Sequence, residues 1–254
     1  MNGTNLARQL AVGVVVGLGC ATASVAGPPY LTDDPTPVEL GTWEATLFST
    51  GTAFHGVTSG LGPALEVNYG VSENVQLHVI APVGFQSPTG QKTKFGYSDT
   101  ELGIKYRFVD PGDDDWFPQI AVFPLVEVPT GNQRLDLSSG HAQVFLPLWL
   151  QKDFGDWAVF GGGGYWVNPG LGNRDWWFTG LGVSRKVTER LSLGAEVFNQ
   201  TASETGGKDS TGFNVGATYD ISETWHLLGS IGRGMHDDES ANKMAYYIGL
   251  QVSF

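Results

Sequence analysis

Apolar and polar residues alternate one by one along most of the chain from Gly41 to Phe254. In the last stretch Tyr246, Ile248, Leu250, Val252 and Phe254 alternate with Tyr247, Gly249, Gln251 and Ser253. Val75, Leu77, Val79, Ala81 and Val83 likewise alternate with Gln76, His78, Ile80 and Pro82, and Phe213, Val215, Ala217 and Tyr219 with Asn214, Gly216 and Thr218. A period of two belongs to the β-strand, whose successive side chains point to opposite faces. Strands are expected near 41–53, 61–71, 74–85, 97–108, 117–128, 141–153, 156–167, 176–187, 190–200, 211–220, 224–234 and 242–254. An even number brings both ends of a bacterial barrel to one side of the membrane. The predicted fold is all-β, a transmembrane antiparallel up-and-down β-barrel of about 12 strands, over residues 41–254.

The connectors alternate short and long. Val71–Asn74, Phe154–Asp156, Val187–Arg190 and Ile221–Thr224 are short, whereas 86–96, 129–140, 168–175, 201–210 and 235–241 are longer and polar or glycine-rich. Asp110–Trp116 is longer than its short peers. Tight turns on one side and long loops on the other are the asymmetry of outer-membrane barrels. The segments Tyr69–Leu77, Arg185–Leu193 and Tyr219–Leu227 share a Ser/Thr-Glu turn. Hairpins of one barrel account for that likeness without a functional repeat.

Alternation does not say which face meets lipid, because a soluble barrel with an apolar interior carries the same pattern inverted. Three features point to the membrane. The first is the N-terminus: Arg8, an apolar core from Leu10 to Gly19, and Ser24-Val25-Ala26 ahead of Gly27 read as a signal peptide over residues 1–26. Its core is too short to span a bilayer, which needs about 20 apolar residues. Cys20 opens a rival reading as a lipidated cysteine, but Gly17-Leu18-Gly19 lacks the large aliphatic residue expected three places before it. Cleavage after Ala26 leaves no cysteine for disulfide or thiol chemistry. The second feature is aromatic residues at strand ends (Trp43, Tyr69, Trp116, Trp157, Trp176, Trp177, Trp225 and Tyr246), which suit the two interfacial girdles of a barrel. The third is the terminal Phe254, expected to serve as an assembly signal for the barrel-assembly machinery.

Residues 27–40, GPPYLTDDPTPVEL, hold too many prolines for a helix or a central strand. They are expected to form an irregular lead-in, either lying in the periplasm or tucked like a plug into the barrel mouth. With lipid outside, the inner face carries Glu44, Glu66, Gln76, His78, Glu101, Lys105, Arg107, Glu127, Gln143 and Glu196 as candidate lumen-lining residues. Rings of such groups line pores, and they also tie barrels together by internal salt bridges; both readings stand. The formal charge of -12 and pI of about 4.7 argue against nucleic-acid binding, and the acidic excess favours cations or neutral solutes. The 36 glycines and 12% aromatic content suit strands and turns rather than disorder.

The run Pro28-Pro29-Tyr30-Leu31-Thr32-Asp33-Asp34-Pro35, followed by Gly41-Thr42-Trp43-Glu44, resembles the start of the transporter family associated with the phenol meta-cleavage degradation pathway. The glycine-rich strands, the Ser/Thr-Glu turns and the C-terminal Phe extend the likeness over nearly all the mature chain. The resemblance implies an outer-membrane protein for uptake of small, often aromatic, compounds, and it brings no functional residues with it.

Signs of catalysis are weak. Of His55, His78, His141, His226 and His236, none sits in a nucleophile motif; His141 merely follows Ser138-Ser139-Gly140. His236-Asp237-Asp238-Glu239 reads as a solvated acidic loop, with weak calcium binding as the sharper alternative, and Gly161–Gly164 lacks the Lys-Ser/Thr of a phosphate loop. No catalytic residue, metal site or cofactor is expected. The expected function is a passive outer-membrane channel for small, aromatic or hydrophobic solutes. The alternatives are a closed structural or surface-binding barrel and, more remotely, an outer-membrane hydrolase. Expected partners are outer-membrane lipids and lipopolysaccharide, the barrel-assembly machinery and a small solute, with no nucleic acid.

Overall fold

The computed structural model describes residues 29–54, 56–111, 116–236 and 243–254. Residues 1–26, read above as a signal peptide and containing Cys20, the Pro28 end of the lead-in, His55, residues 112–115 and the acidic run Asp237–Glu239 lie outside the described residues.

The strands are β1 (Trp43–Phe54), β2 (Val57–Ser72), β3 (Val75–Pro88), β4 (Lys94–Tyr97), β5 (Thr100–Val109), β6 (Gln119–Val122), β7 (Leu125–Val128), β8 (Gln143–Phe154), β9 (Trp157–Val167), β10 (Trp176–Thr188), β11 (Leu191–Gln200), β12 (Ser210–Asp220), β13 (Trp225–His236) and β14 (Met244–Ser253). All pair antiparallel, and β1 pairs with β14, so the sheet closes. Phe254 seals the seam: its N–H donates to the Trp43 carbonyl at 2.9 Å, and the Trp43 N–H donates to its carbonyl at 2.8 Å.

The fourteen segments make a closed barrel of 12 strands, because β4 and β5 pair with successive parts of β3, and β6 and β7 with successive parts of β8. Pro124 causes the second break, since it has no N–H for the ladder. Its carbonyl is still used, accepting from Ile104 N–H at 3.2 Å.

The two faces differ as the alternation requires. On β5, Leu102, Ile104, Tyr106 and Phe108 are exposed, while Glu101 and Lys105 are buried. The same holds around the ring, where Leu47, Leu65, Leu181, Val197, Leu227 and Ile248 all point outward. An apolar belt of this extent has no place in water, and it is the lipid face of a transmembrane barrel. The inverted, soluble arrangement is therefore excluded. Aromatic pairs mark both rims: Trp43 on Tyr69 at the turn end, with ring centres 4.5 Å apart, and Tyr165 on Trp177 at the loop end, 5.0 Å apart. Trp176 departs from expectation. It points inward and is buried, one residue out of phase with the exposed Trp177.

Candidate functional site

The site is the lumen. Strand alternation puts a polar group on its inner wall near the turn end of β1, β2, β3 and β5. Asn68 is the hub. Its amide donates to Glu66 Oε1 at 2.8 Å and to Glu44 Oε1 at 3.3 Å, and its Oδ1 accepts from Gln76 Nε2 at 3.0 Å. Both ring nitrogens of His78 face acceptors, Asn68 Oδ1 at 2.7 Å and Glu101 Oε1 at 2.9 Å. The network thus gathers Glu44, Glu66, Gln76, His78 and Glu101 from the predicted set around a residue that sequence inspection did not single out. Asn68 was nonetheless available, two places from Glu66 on the same face.

The other predicted residues lie elsewhere on the inner wall. Lys105 is buried and pairs with Asp33 of the lead-in, 3.1 Å away. Arg107 sits nearer the turn end, bridged to Asp110 at 2.9 Å and donating to Gln119 Oε1 at 3.3 Å. Glu127 and Gln143 are register partners across β7 and β8, towards the loop end. Glu196, from β11, meets the lead-in.

The lead-in crosses the inside of the barrel. Pro29 O accepts from Ser230 Oγ on β13 at 2.6 Å; Leu31 and Thr32 donate their N–H groups to Glu196, each at 2.8 Å. Asp33 then reaches Lys105 on β5, Val38 N–H donates to Gln76 on β3 at 2.9 Å, and Leu40 bridges to Gly70 on β2. Tyr30, Thr32, Asp33 and Pro35 are all buried. Wall glycines make the berth: a Cβ on Gly180 would overlap Thr32, one on Gly194 the Tyr30 hydroxyl, and one on Gly70 the Glu39 carbonyl. Burial pushes the Asp33 carboxyl up to about 6, against the pull of the Lys105 ammonium. Burial, with Glu196 close by, also raises the Tyr30 hydroxyl above its ordinary range.

An aromatic column fills the wall opposite. Phe145 stacks on Trp166 (4.7 Å, 10°), Trp166 on Trp176 (5.4 Å, 8°), and Phe178 on Phe198 (6.2 Å, 17°), with Phe123 and Trp149 in the same cluster. Gly162 and Gly164 lie beneath Trp149 and Phe145, so the glycines of β9 give these rings room. The alternation rule could not find this column, because β8 is apolar on both faces through Phe145-Leu146-Pro147-Leu148-Trp149. Unbroken apolar runs within an alternating chain are the signal that marks it.

At the loop end, residues 129–142 fold inward. The Asp99 carboxylate accepts from Gly131 N–H at 2.9 Å, Ser139 N–H at 2.9 Å and Ser139 Oγ at 3.2 Å. Leu137 is buried against the bare backbones of Gly84 and Gly96. The single Ser139 hydroxyl proton also has the His141 carbonyl in reach, at 2.7 Å, so the two acceptors share it, while the His141 ring lies against Gly170.

No family model matches the chain, and no curated protein does so. Solved structures do. An outer membrane channel from Pseudomonas putida F1 superposes with a TM-score of 0.71 at 17% identity, covering 87% of this chain and 98% of that one. The NanC porin gives 0.59 at 10% identity (82% and 98% covered), and the KdgM porin 0.57 at 13% (82% and 99% covered). At these identities the likeness is one of fold, the closed antiparallel barrel of outer-membrane channels and porins.

Proposed function

We propose that the chain is a passive channel in the bacterial outer membrane for small solutes of apolar or aromatic character. The observation that carries this reading is the aromatic column on the inner wall. A barrel that only had to close would gain as much from aliphatic packing. The stacked rings are buried with Leu31 of the lead-in packed against them, and they would offer a flat apolar solute a graded surface beside the polar network when the lead-in moves aside. Eight-stranded barrels are filled by side chains and 16-stranded porins hold an open channel, so this barrel falls between. Selectivity would follow from the rings and from the acidic excess of the polar network. The signal-like N-terminus and the lipid-facing belt support a location among outer-membrane lipids and lipopolysaccharide, reached through the barrel-assembly machinery.

One observation favours the second reading, a closed structural or surface-binding barrel: the lead-in and loop 129–142 both occupy the lumen. Planar-bilayer recording separates the two, together with uptake of a small aromatic solute into proteoliposomes. Discrete conductance steps or solute flux above that of empty liposomes support the channel. Folded protein with neither would leave the closed barrel as the better account.

A further inference from the structure

Three polar atoms on the inner wall of β14, β1 and β2 have no hydrogen-bond partner among the described residues: Thr46 Oγ1, Glu66 Oε2 and Tyr247 OH. Their side chains lie together. Thr46 and Glu66 are register partners. The Tyr247 ring runs over Gly249, where a Cβ would stand 2.8 Å from its hydroxyl and 3.2 Å from Thr46 Cγ2. The three residues are 1%, 3% and 5% exposed. Leaving buried polar groups unpaired is costly, and such groups in a folded protein call for a partner.

Counting donors and acceptors defines that partner. Glu66 Oε1 already accepts from Asn68, which leaves Oε2 as a bare acceptor. Thr46 and Tyr247 each bring a hydroxyl proton in search of a lone pair. The complement is one atom that donates once and accepts twice: water does so, and so does an uncharged hydroxyl oxygen, which alone also brings an apolar body to the neighbouring wall. An ammonium has no lone pair and would strand both hydroxyl protons. A carboxylate or phosphate oxygen has no proton for Glu66 and would meet its negative charge.

The surroundings supply the rest of the ligand site. Towards the loop end the same wall turns apolar, with Phe48, Leu61, Ala64, Ile80 and Leu228 packed in one cluster with Tyr247. The Tyr247 ring stacks on Phe48, 5.4 Å between centres and 19° between planes. We propose that this patch binds the hydroxyl end of an uncharged alcohol, whose apolar body lies against Phe48, Ile80 and Leu228. The Tyr247 ring lies over the patch in the space left by the missing side chain of Gly249, and it moves aside to admit the alcohol. The proposal deepens the channel reading and rests on it for how the ligand arrives, but binding at equilibrium requires no transport.

The test is a fluorine NMR titration of the full barrel in lipid nanodiscs. The probe is 4,4-difluorocyclohexanol, with 1,1-difluorocyclohexane and 4,4-difluorocyclohexylamine as its hydrocarbon and amine counterparts. The alcohol should bind tightest. Thr46→Val and Tyr247→Phe keep the shape and each remove one hydroxyl, so each should weaken alcohol binding by about threefold to tenfold, the worth of one hydrogen bond. Neither should change hydrocarbon binding. Alcohol binding no tighter than that of the hydrocarbon or the amine would overturn the proposal, and the three atoms would then be partnered by water only. So would two folded variants that both bind the alcohol like wild type. If a variant does not fold, the three-probe comparison on wild type still decides. A barrel that binds the alcohol but neither conducts nor transports keeps this site and loses the channel reading.

Discussion

The carboxylate of Glu196 grips the lead-in at two successive backbone groups, the N–H of Leu31 on one oxygen and the N–H of Thr32 on the other, each at 2.8 Å. Asn214 donates to the first of these oxygens at 2.5 Å, holding the carboxylate in place from the neighbouring strand. A wall side chain thus binds main-chain N–H groups of the lead-in, which any residue except proline could offer at positions 31 and 32.

Glu196→Ala should loosen this grip. Hydrogen bonds to a charged group contribute roughly 1.5–3 kcal/mol each, so losing two shifts the lead-in substantially towards undocked states. The barrel itself, closed by backbone ladders, should still fold. Single-channel recording should show a larger and noisier conductance than wild type; an unchanged trace would mean that Glu196 does not hold the segment.

Gly180 offers a sharper test of the same contact. A Cβ there would overlap Thr32 Oγ1, with the Thr32 Cβ also within 3.1 Å. Gly180→Ala should therefore displace the lead-in and raise its susceptibility to protease from the turn side. Adding Thr32→Gly removes both atoms and should restore protection. If the double variant is cleaved as fast as the single one, the glycine matters for another reason.

On β5 the two faces can be probed at adjacent residues. Ile104 is exposed to lipid, and a charge on that face near the bilayer midplane costs about 2–4 kcal/mol; Ile104→Arg should lower folding stability by that order in urea titrations. Lys105 faces inward, yet it is no ordinary wetted residue, because it pairs with the fully buried Asp33. Lys105→Met should strand that carboxylate and be clearly destabilising. Adding Asp33→Asn should recover most of the loss, and failure to do so would remove the pair from the account of docking.

Asp99 should act as the latch of loop 129–142. Asp99→Ala removes the acceptor of two backbone hydrogen bonds, from Gly131 and Ser139, and one of the two acceptors shared by the Ser139 hydroxyl, without touching the inner-wall network. The expected result is faster external proteolysis within 129–142, with normal heat-modifiable mobility of the barrel on gels. Equal cleavage rates would show that Leu137 packing alone suffices.

Phe254→Asp should reduce the yield of assembled barrel. The residue is 69% exposed on the lipid side, and its backbone bonds to Trp43 survive the change. A normal yield would argue against a role for the terminal ring in assembly.

The wall of this protein is written locally. A period of two assigns each residue to one face whatever its distant neighbours do, so the inward places of Glu66, His78, Glu101 and Lys105 and the outward place of Ile104 follow from the sequence alone. Turn residues then set the strand count, with the two-piece strands around Ser98-Asp99 and Phe123-Pro124 as the local departures. What fills the barrel is not written this way. Glu196 meets Leu31 across 165 positions of chain, and only closure of the ring brings them together. The aromatic column hides in β8 because both faces of that strand are apolar, leaving no contrast for alternation to show. Wall glycines such as Gly180 and Gly84 are visible in the sequence as small residues. The Thr32 and Leu137 side chains that need their space reach them only when the lead-in and the loop turn inward. Strand faces depend on geometry between neighbours in the chain; the contents of the lumen depend on which distant segments compete for one enclosed volume.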